Sequence, residues 1–378
     1  MSDRVEDDPR ALKAAEVANV EAPDLEYLPP RPQSWRPRIG LVGCGGISAT
    51  QLDAYRKHGF EVAALCSRDP SAAEARRAEY FPAARVTTDE GDLFGDPTLD
   101  VIDFATPAGH RAEAIPHAID AGKHVLSQKP FVTDLDVGES LVERAATRRV
   151  TLAVNQNGRW APYFAYLRAA ADAGLLGEIR SVDVQIAWDH RWIDETDFVR
   201  VPHVVLYDFG IHWFDMIACL FGGRLGGRVF AAVSADATRG DKPPLSAHAV
   251  LDGPGVAASL TLRAATAHGP EESVTVVGTE GTFRSRGPVC GAGEITLTSA
   301  AGRAVKTLEG QWFPDGFAGA MGEMLAAIEL SREPVNAARG NLAGLGLCFA
   351  AVASAERGGP VEIGSVRRLD PAWVRRDG

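Results

Sequence analysis

Arg38-Ile-Gly-Leu-Val-Gly-Cys-Gly-Gly-Ile-Ser48 is a short apolar run that breaks into Gly43, Gly45 and Gly46 and then opens into a helix-forming segment. A first parallel strand delivers a dinucleotide pyrophosphate to a helix N-terminus in this way. Gly43 permits the tight turn, and Gly45 lets backbone N–H groups approach the phosphates where a side chain would stand in the way. Gly46 and Ile47, at the head of the helix, complete the expected cofactor contacts. Ser48 holds the place of the usual third glycine or alanine and is still small enough for close helix packing. Glycine-rich turns also follow strands for purely structural reasons, so the flanking pattern has to decide.

Outward from the turn, a helix through Gln51 to Lys57 leads to Glu61–Cys66, a continuous apolar strand of the kind parallel sheets bury. It ends at Ser67-Arg68-Asp69, about 20 residues past the glycines, where this fold reads the adenosine ribose. A hydroxyl followed by a guanidinium suits a 2′-phosphate, so NADP is slightly favoured over NAD, with Asp69 as the argument for NAD. A helix over Ser71–Tyr80 precedes a third strand, Asp100–Pro107, whose Thr106-Pro107 turn faces the same crevice. Then come a helix over Arg111–Ala121, a fourth strand in His124–Pro130 running into Lys129, a helix over Val137–Arg148 and a fifth strand at Val150–Val154. This alternation specifies a doubly wound parallel sheet.

Gly43–Ser48, the Ala105-Thr-Pro107 turn with His110, and above all Gly122-Lys-His-Val-Leu-Ser-Gln-Lys-Pro130 resemble the Gfo/Idh/MocA oxidoreductases, a family that includes glucose-fructose oxidoreductase and inositol dehydrogenase. The likeness runs from about Arg38 almost to the C-terminus. It implies that Thr106, Pro107, His110, Gln128 and Lys129 join the cofactor site. Gln128 stands where the family usually has Glu; it still hydrogen-bonds a ribose hydroxyl but leaves the local field less negative.

Past Asn155-Gln-Asn-Gly-Arg159 the periodicity changes. Pro162–Ala173 reads as an amphipathic helix, and Ser181–Trp188 alternates, with Val182, Val184, Ile186 and Trp188 on one face. Strand-like runs follow at 229–235, 247–251, 256–263, 273–277, 281–284 and 294–298, then helical runs at 317–330 and 342–356. The expectation is an α/β protein: an N-terminal Rossmann domain (37–157) and a C-terminal α+β domain (158–340) built on a large, predominantly antiparallel open sheet. The C-terminal helix and tail (341–378) are expected to pack back on the Rossmann domain, as the resemblance implies. An open sheet face of that size predicts a homo-oligomer, dimer or tetramer, through the C-terminal sheet. Residues 1–36, acidic and then proline-rich, read as a flexible arm with at most a short helix over Ala11–Val20. The alternative is an arm lying on a partner subunit through Tyr27, Leu28 and Trp35.

The net charge of −11 and the absence of basic runs exclude a nucleic-acid surface. The N-terminus lacks the basic region and apolar run of an export signal, which predicts a cytoplasmic protein. The apolar stretch Val201–Phe221 is interrupted by His203, Asp208, His212 and Asp215, so it reads as a buried or site-lining helix and not as a membrane span. Five scattered cysteines without a Cys-x-x-Cys pair are simplest as buried thiols.

In Tyr207-Asp208-Phe-Gly-Ile-His212-Trp-Phe-Asp215, Asp208 and His212 have the spacing that shares one helix face. The resemblance makes Lys129, Asp208 and His212 the catalytic set. His212 is then the candidate base for a hydroxyl proton, Asp208 orients the imidazole or holds a substrate hydroxyl, and Lys129 supplies positive charge to a developing alkoxide. Substrate contacts are expected from Arg159, Trp188, His190, Arg191 and His203, besides Asp208 and His212, with Arg191 or Arg200 as a carboxylate acceptor for a sugar acid. Val201-Pro-His-Val-Val-Leu206 replaces the glycine-rich approach usual in the family and reshapes the pocket wall. No metal is expected, because the spacing of His190, His203, Asp208 and His212 fits no compact ligand motif. Together these readings point to an NAD(P)-dependent oxidoreductase acting on a secondary hydroxyl or ketone of a sugar, cyclitol or related polyol. A redox-neutral sugar-modifying enzyme and a nonenzymatic sugar or nucleotide sensor are the alternatives.

Overall fold

The computed structural model describes residues 17–291 and 293–374. The first half alternates β1 (Arg38–Val42), α1 (Gly46–His58), β2 (Glu61–Cys66), α2 (Pro70–Tyr80), β3 (Arg85–Thr87), α3 (Gly91–Phe94), β4 (Val101–Phe104), α4 (Ala108–Asp120), β5 (His124–Gln128), α5 (Leu135–Arg148) and β6 (Leu152–Asn155). All pairings are parallel, in the order β3-β2-β1-β4-β5-β6. Ile39, Leu41, Ile102 and Leu126 are fully buried, as strands covered by helices on both faces require. The order reverses between β1 and β4, which puts the crevice at their C-terminal ends. β3 escaped the sequence reading, because Arg85-Val-Thr87 is a three-residue edge strand with one apolar residue. The strands expected as third to fifth are therefore β4 to β6.

The second half holds α6 (Pro162–Asp172), β7 (Ile179–Ala187), α7 (Ile211–Phe221), β8 (Arg228–Ser234), β9 (Ser246–Gly253), β10 (Val256–Arg263), β11 (Glu271–Gly278), β12 (Gly281–Gly287), β13 (Glu294–Ser299), β14 (Gly302–Thr307), α8 (Asp315–Glu329), α9 (Ala338–Arg357) and β15 (Val361–Glu362). The strands form one sheet, β14-β13-β12-β11-β7-β10-β9-β8-β15, antiparallel except for the β7–β10 pair. In β7, Val182, Val184 and Ile186 are fully buried and Asp183 and Gln185 exposed. Each inward side chain contributes about 1.5–3 kcal/mol of burial. Phe230 and Val250 stand exposed on β8 and β9.

α9 packs on α5 and β6 of the first sheet and on α7 and β8 of the second. By length and composition it is a candidate membrane span, but most of it is buried inside the fold.

Residues 17–36 differ from the expected flexible arm; the Ala11–Val20 helix falls outside the described residues up to residue 16, and residues 17–20 are not helical. Asn19 bridges to Arg303 beside β14, and the Tyr27 ring meets Tyr166 edge-on at 5.6 Å. Glu329 accepts the backbone N–H groups of Gln33, Ser34 and Trp35 at 2.6–2.7 Å. Between Pro32 and Pro37 the chain makes no strand pairing, and a carboxylate satisfies its amides instead.

Candidate active site

The glycine turn closes against the turn after β4. Gly43 has φ +102°, and a Cβ there would stand 2.8 Å from Thr106 Cγ2, so both conformation and space require glycine. α1 is capped at its N-terminus by Gly45, with no side-chain cap and no acidic residue in its first turn, which leaves its N–H groups and positive dipole end for an anion. A cleft of about 630 Å3 opens there, lined by Gly43, Gly45, Ser67, Arg68, Thr106 and His110, among others. Thr106 Oγ1, on the cleft wall, is buried without a hydrogen-bond partner among the described residues. Unassisted amides and an orphaned hydroxyl around a cleft of this size fit a dinucleotide.

Some expected cofactor contacts are engaged elsewhere. Asp69 accepts from Ser71 N and Oγ as the N-cap of α2, and its own N–H meets Ser67 Oγ at 3.3 Å. His110 Nε2 lies 2.5 Å from Glu90 Oε1, a cleft residue the sequence reading did not single out. Pro107 lines the cleft, whereas Gly46, Ile47, Gln128 and Lys129 do not. The reading also missed Arg76 on α2. Its Nε stands 3.2 Å from Ser48 Oγ and its Nη2 3.4 Å from the Gly45 carbonyl, so serine at the third glycine position gives this guanidinium an acceptor.

Beyond the cleft, at the end of β5, Lys129 Nζ lies 3.1 Å from Asp208 Oδ1 and 2.8 Å from the Asp208 carbonyl. Gln128 Oε1 accepts the Lys129 N–H at 2.8 Å. Arg111, buried in α4, donates to the carbonyls of Thr106 and Pro130 and so fastens the β4 and β5 turns together. Burial lowers its pKa to about 10.

Asp208 and His212 do not share one uninterrupted α-helix. Val205–Phe209 forms a π-type turn, closed by Gly210 N donating to Val205 O at 2.8 Å, and α7 begins at Ile211. A Cβ on Gly210 would stand 2.7 Å from Leu206 O, so glycine makes the widened turn feasible. Asp208 consequently pairs with Lys129, while the nitrogen facing His212 Nδ1, at 3.3 Å, is Gln156 Nε2 from the end of β6. Burial first, then Lys129, holds the His212 pKa well below its ordinary value, so the imidazole is neutral. The Trp312 ring meets it edge-on at 5.0 Å, and a Cβ on Gly158 would crowd its Nδ1 to 3.2 Å.

Trp188, buried in an aromatic cluster, donates its indole N–H to His190 Nδ1. The His190 ring packs 3.8 Å from Phe209 and 4.8 Å from Trp192. Burial and then Lys129 lower its pKa to about 4. An indole only donates, so the neutral ring carries its proton on Nε2, which has no partner among the described residues.

Three expected substrate residues are engaged elsewhere. Arg159 is buried in a bidentate pair with Asp215, both contacts 2.7 Å, and also donates to Val335 O. A guanidinium so enclosed is structural. His203 Nε2 lies 2.5 Å from Glu356 Oε1 on α9, and Arg191 closes on Asp189 at 2.8 and 2.5 Å. Among the described residues no group of His, Cys, Asp or Glu forms a metal site.

Residues 37–156 match an oxidoreductase family with an NAD-binding Rossmann fold, and 164–284 match the GFO/IDH/MocA C-terminal domain. A D-apiose dehydrogenase from Paraburkholderia graminis is 28% identical over 88% of this chain and 91% of its own length. An inositol 2-dehydrogenase from Rhizobium meliloti is 26% identical over 84% of this chain and 96% of its own. An oxidoreductase from Agrobacterium radiobacter, solved with NAD+, L-tartaric acid and magnesium, superimposes with a TM-score of 0.77 at 22% identity, covering 88% of this chain and 99% of that one.

Proposed function

Because the chain belongs to the Gfo/Idh/MocA oxidoreductase family, we propose that it transfers hydride between a nicotinamide dinucleotide and a secondary hydroxyl or ketone of a sugar, cyclitol or related polyol. The observation that carries this reading is the convergence of the Lys129–Asp208 pair with the His212 and His190 imidazoles beyond the glycine-turn cleft. When bound, the nicotinamide supplies the hydride acceptor or donor. The chain's own residues do the rest. The α1 amides hold the pyrophosphate, Lys129 stabilises negative charge on the substrate oxygen, and Asp208 keeps that ammonium in place. His190 Nε2–H donates to a second hydroxyl, beside aromatic faces suited to sugar C–H surfaces.

Ser67 and Arg68 at the adenosine end support a slight preference for NADP. Exposed Phe230 and Val250 on the sheet's uncovered face support a homo-oligomer, which light scattering tests.

The experiment is absorbance of reduced nicotinamide with a panel of sugars, cyclitols and sugar acids and either cofactor. Sustained reduction with one polyol group is expected. Cofactor binding without net turnover on any hydroxyl or carbonyl substrate would overturn the reading.

A further inference from the structure

Gln156 sits between two groups that dictate how its amide is turned. Its Nε2 lies 3.4 Å from the Ile211 carbonyl, which only accepts, and 3.3 Å from His212 Nδ1. Its Oε1 lies 3.5 Å from Asn341 Nδ2, which is also 3.1 Å from Asp215 Oδ1. Both Asp215 oxygens accept from Arg159 in a pair whose side chains are 3% and 1% exposed. A carboxylate held this way only accepts, so Asn341 must turn its NH2 towards it. The same NH2 then faces Gln156 Oε1, which leaves the Gln156 NH2 for Ile211 and His212. Turning either amide over would set oxygen against oxygen.

We infer that this buried relay, Arg159–Asp215–Asn341–Gln156, fixes the His212 proton on Nε2, so that His212 meets the substrate oxygen as an N–H donor and Gln156 is the residue that positions that proton. The inference deepens the proposed function and rests on His212 belonging to that site. Its consequence is a division of labour. On oxidation the O–H bond breaks and its electron pair becomes the second carbonyl bond, as hydride leaves the same carbon for the nicotinamide. The released proton goes to the Asp208 carboxylate, because Lys129 is already an ammonium and His212 Nε2 already bears a proton. The candidate base of the sequence reading becomes a neutral electrophile. Burial first and then Lys129, from the end of β5, keep the ring neutral; Asp208, on the π-type turn, faces Lys129, and Gln156, Gly158 and Trp312 around the ring are uncharged.

The first test is 15N NMR of the histidine-labelled protein, with and without NAD+, with the signal assigned by its loss in His212→Gln. A pyridine-type Nδ1 and a proton-bearing Nε2 are expected. A protonated Nδ1 overturns the inference whatever the catalytic assay shows, and an Nε2–H found in a protein without hydride-transfer activity would sink the proposed function alone. The second test is Gln156→Glu, isosteric but acceptor-only at Nδ1. It should move the proton to Nδ1, lower kcat for alcohol oxidation about tenfold or more, and add an ionisation between about pH 5 and 8 to the profile. A rise in kcat would overturn the inference and restore His212 as base. If that variant does not fold, Gln156→Met, which removes the donor without charge, should turn the single His212 tautomer into a mixture. An unchanged NMR signature there would refute the role of Gln156.

Discussion

Asp208 and Asp215 flank the same glycine-bearing turn and each faces a cation, but the two pairs are built differently. In Arg159–Asp215 the fork of the guanidinium meets both oxygens, the side chains are 3% and 1% exposed, and Val335 O and Asn341 take further hydrogen-bonding capacity. In Lys129–Asp208 a single ammonium meets one oxygen and a backbone carbonyl, and the side chains are 16% and 15% exposed. The first pair is closed, with both groups buried out of a ligand's reach. The second retains ammonium protons and a carboxylate oxygen for one. Residue type does not separate them; what separates them is how much bonding capacity the protein itself has saturated.

The contrast is most exposed to failure at Arg159. Arg159→Met strands Asp215 in the interior and should cost about 3–5 kcal/mol of stability, measured by denaturant unfolding. A loss under 1 kcal/mol would mean the pair is not closed. Lys129→Met should do the reverse, lowering kcat/KM on the order of 10²–10³-fold, about 3–4 kcal/mol, while moving unfolding stability by no more than about 1 kcal/mol. Equal effects on folding and activity would erase the distinction.

His190 sharpens it further, as a half-closed group with one nitrogen engaged and one free. An unfolded imidazole takes a proton near pH 6.5, whereas the folded one does so only near 4. Between those values the unfolded state binds more protons, so stability falls as pH falls from about 6.5 towards 4. His190→Gln should flatten the melting-temperature curve over that window by about 1–2 kcal/mol equivalent, and an unchanged slope would place the imidazole in water. The smallest effect belongs to the adenosine end of the cleft. Arg68→Ala should weaken NADPH binding roughly tenfold, about 1.4 kcal/mol, and leave NADH nearly unchanged, as titration calorimetry would show. Equal losses would remove Arg68 from cofactor choice.

Much of this was legible in the chain because local patterns carry it. Gly43-Cys-Gly-Gly requires a turn that no side chain fits, and the alternation of β7 declares a sheet with one wet face. β3 and β15 were not legible, because two or three residues at a sheet edge leave no periodicity to detect. β14 was missed as well; Gly-Arg-Ala-Val-Lys-Thr offers only a weak alternation. At the site, the Asp208–His212 spacing implied one shared α-helical face, whereas Asp208 lies on a π-type turn and pairs with Lys129, since the i,i+4 rule presupposes the α-turn that Gly210 relaxes. Arg159 and His203 looked free because their partners, Asp215 and Glu356, lie far along the chain. Gln156 did leave a signal, a polar residue at the C-terminal end of a parallel strand, whereas Trp312 left none.

α9 has a further consequence for how such proteins are recombined. The helix is the shared beam of two rooms, bearing on α5 and β6 through one side and on α7 and β8 through the other. A chimera that exchanges the substrate-facing half but keeps the parental α9 sets a foreign beam against the new wall, and one that cuts the chain after β6 leaves the nucleotide half with a bare apolar groove. The smallest transplantable unit is therefore discontinuous in sequence: the second sheet together with the helix that follows it, plus whatever residues on α5 have to be recut to fit.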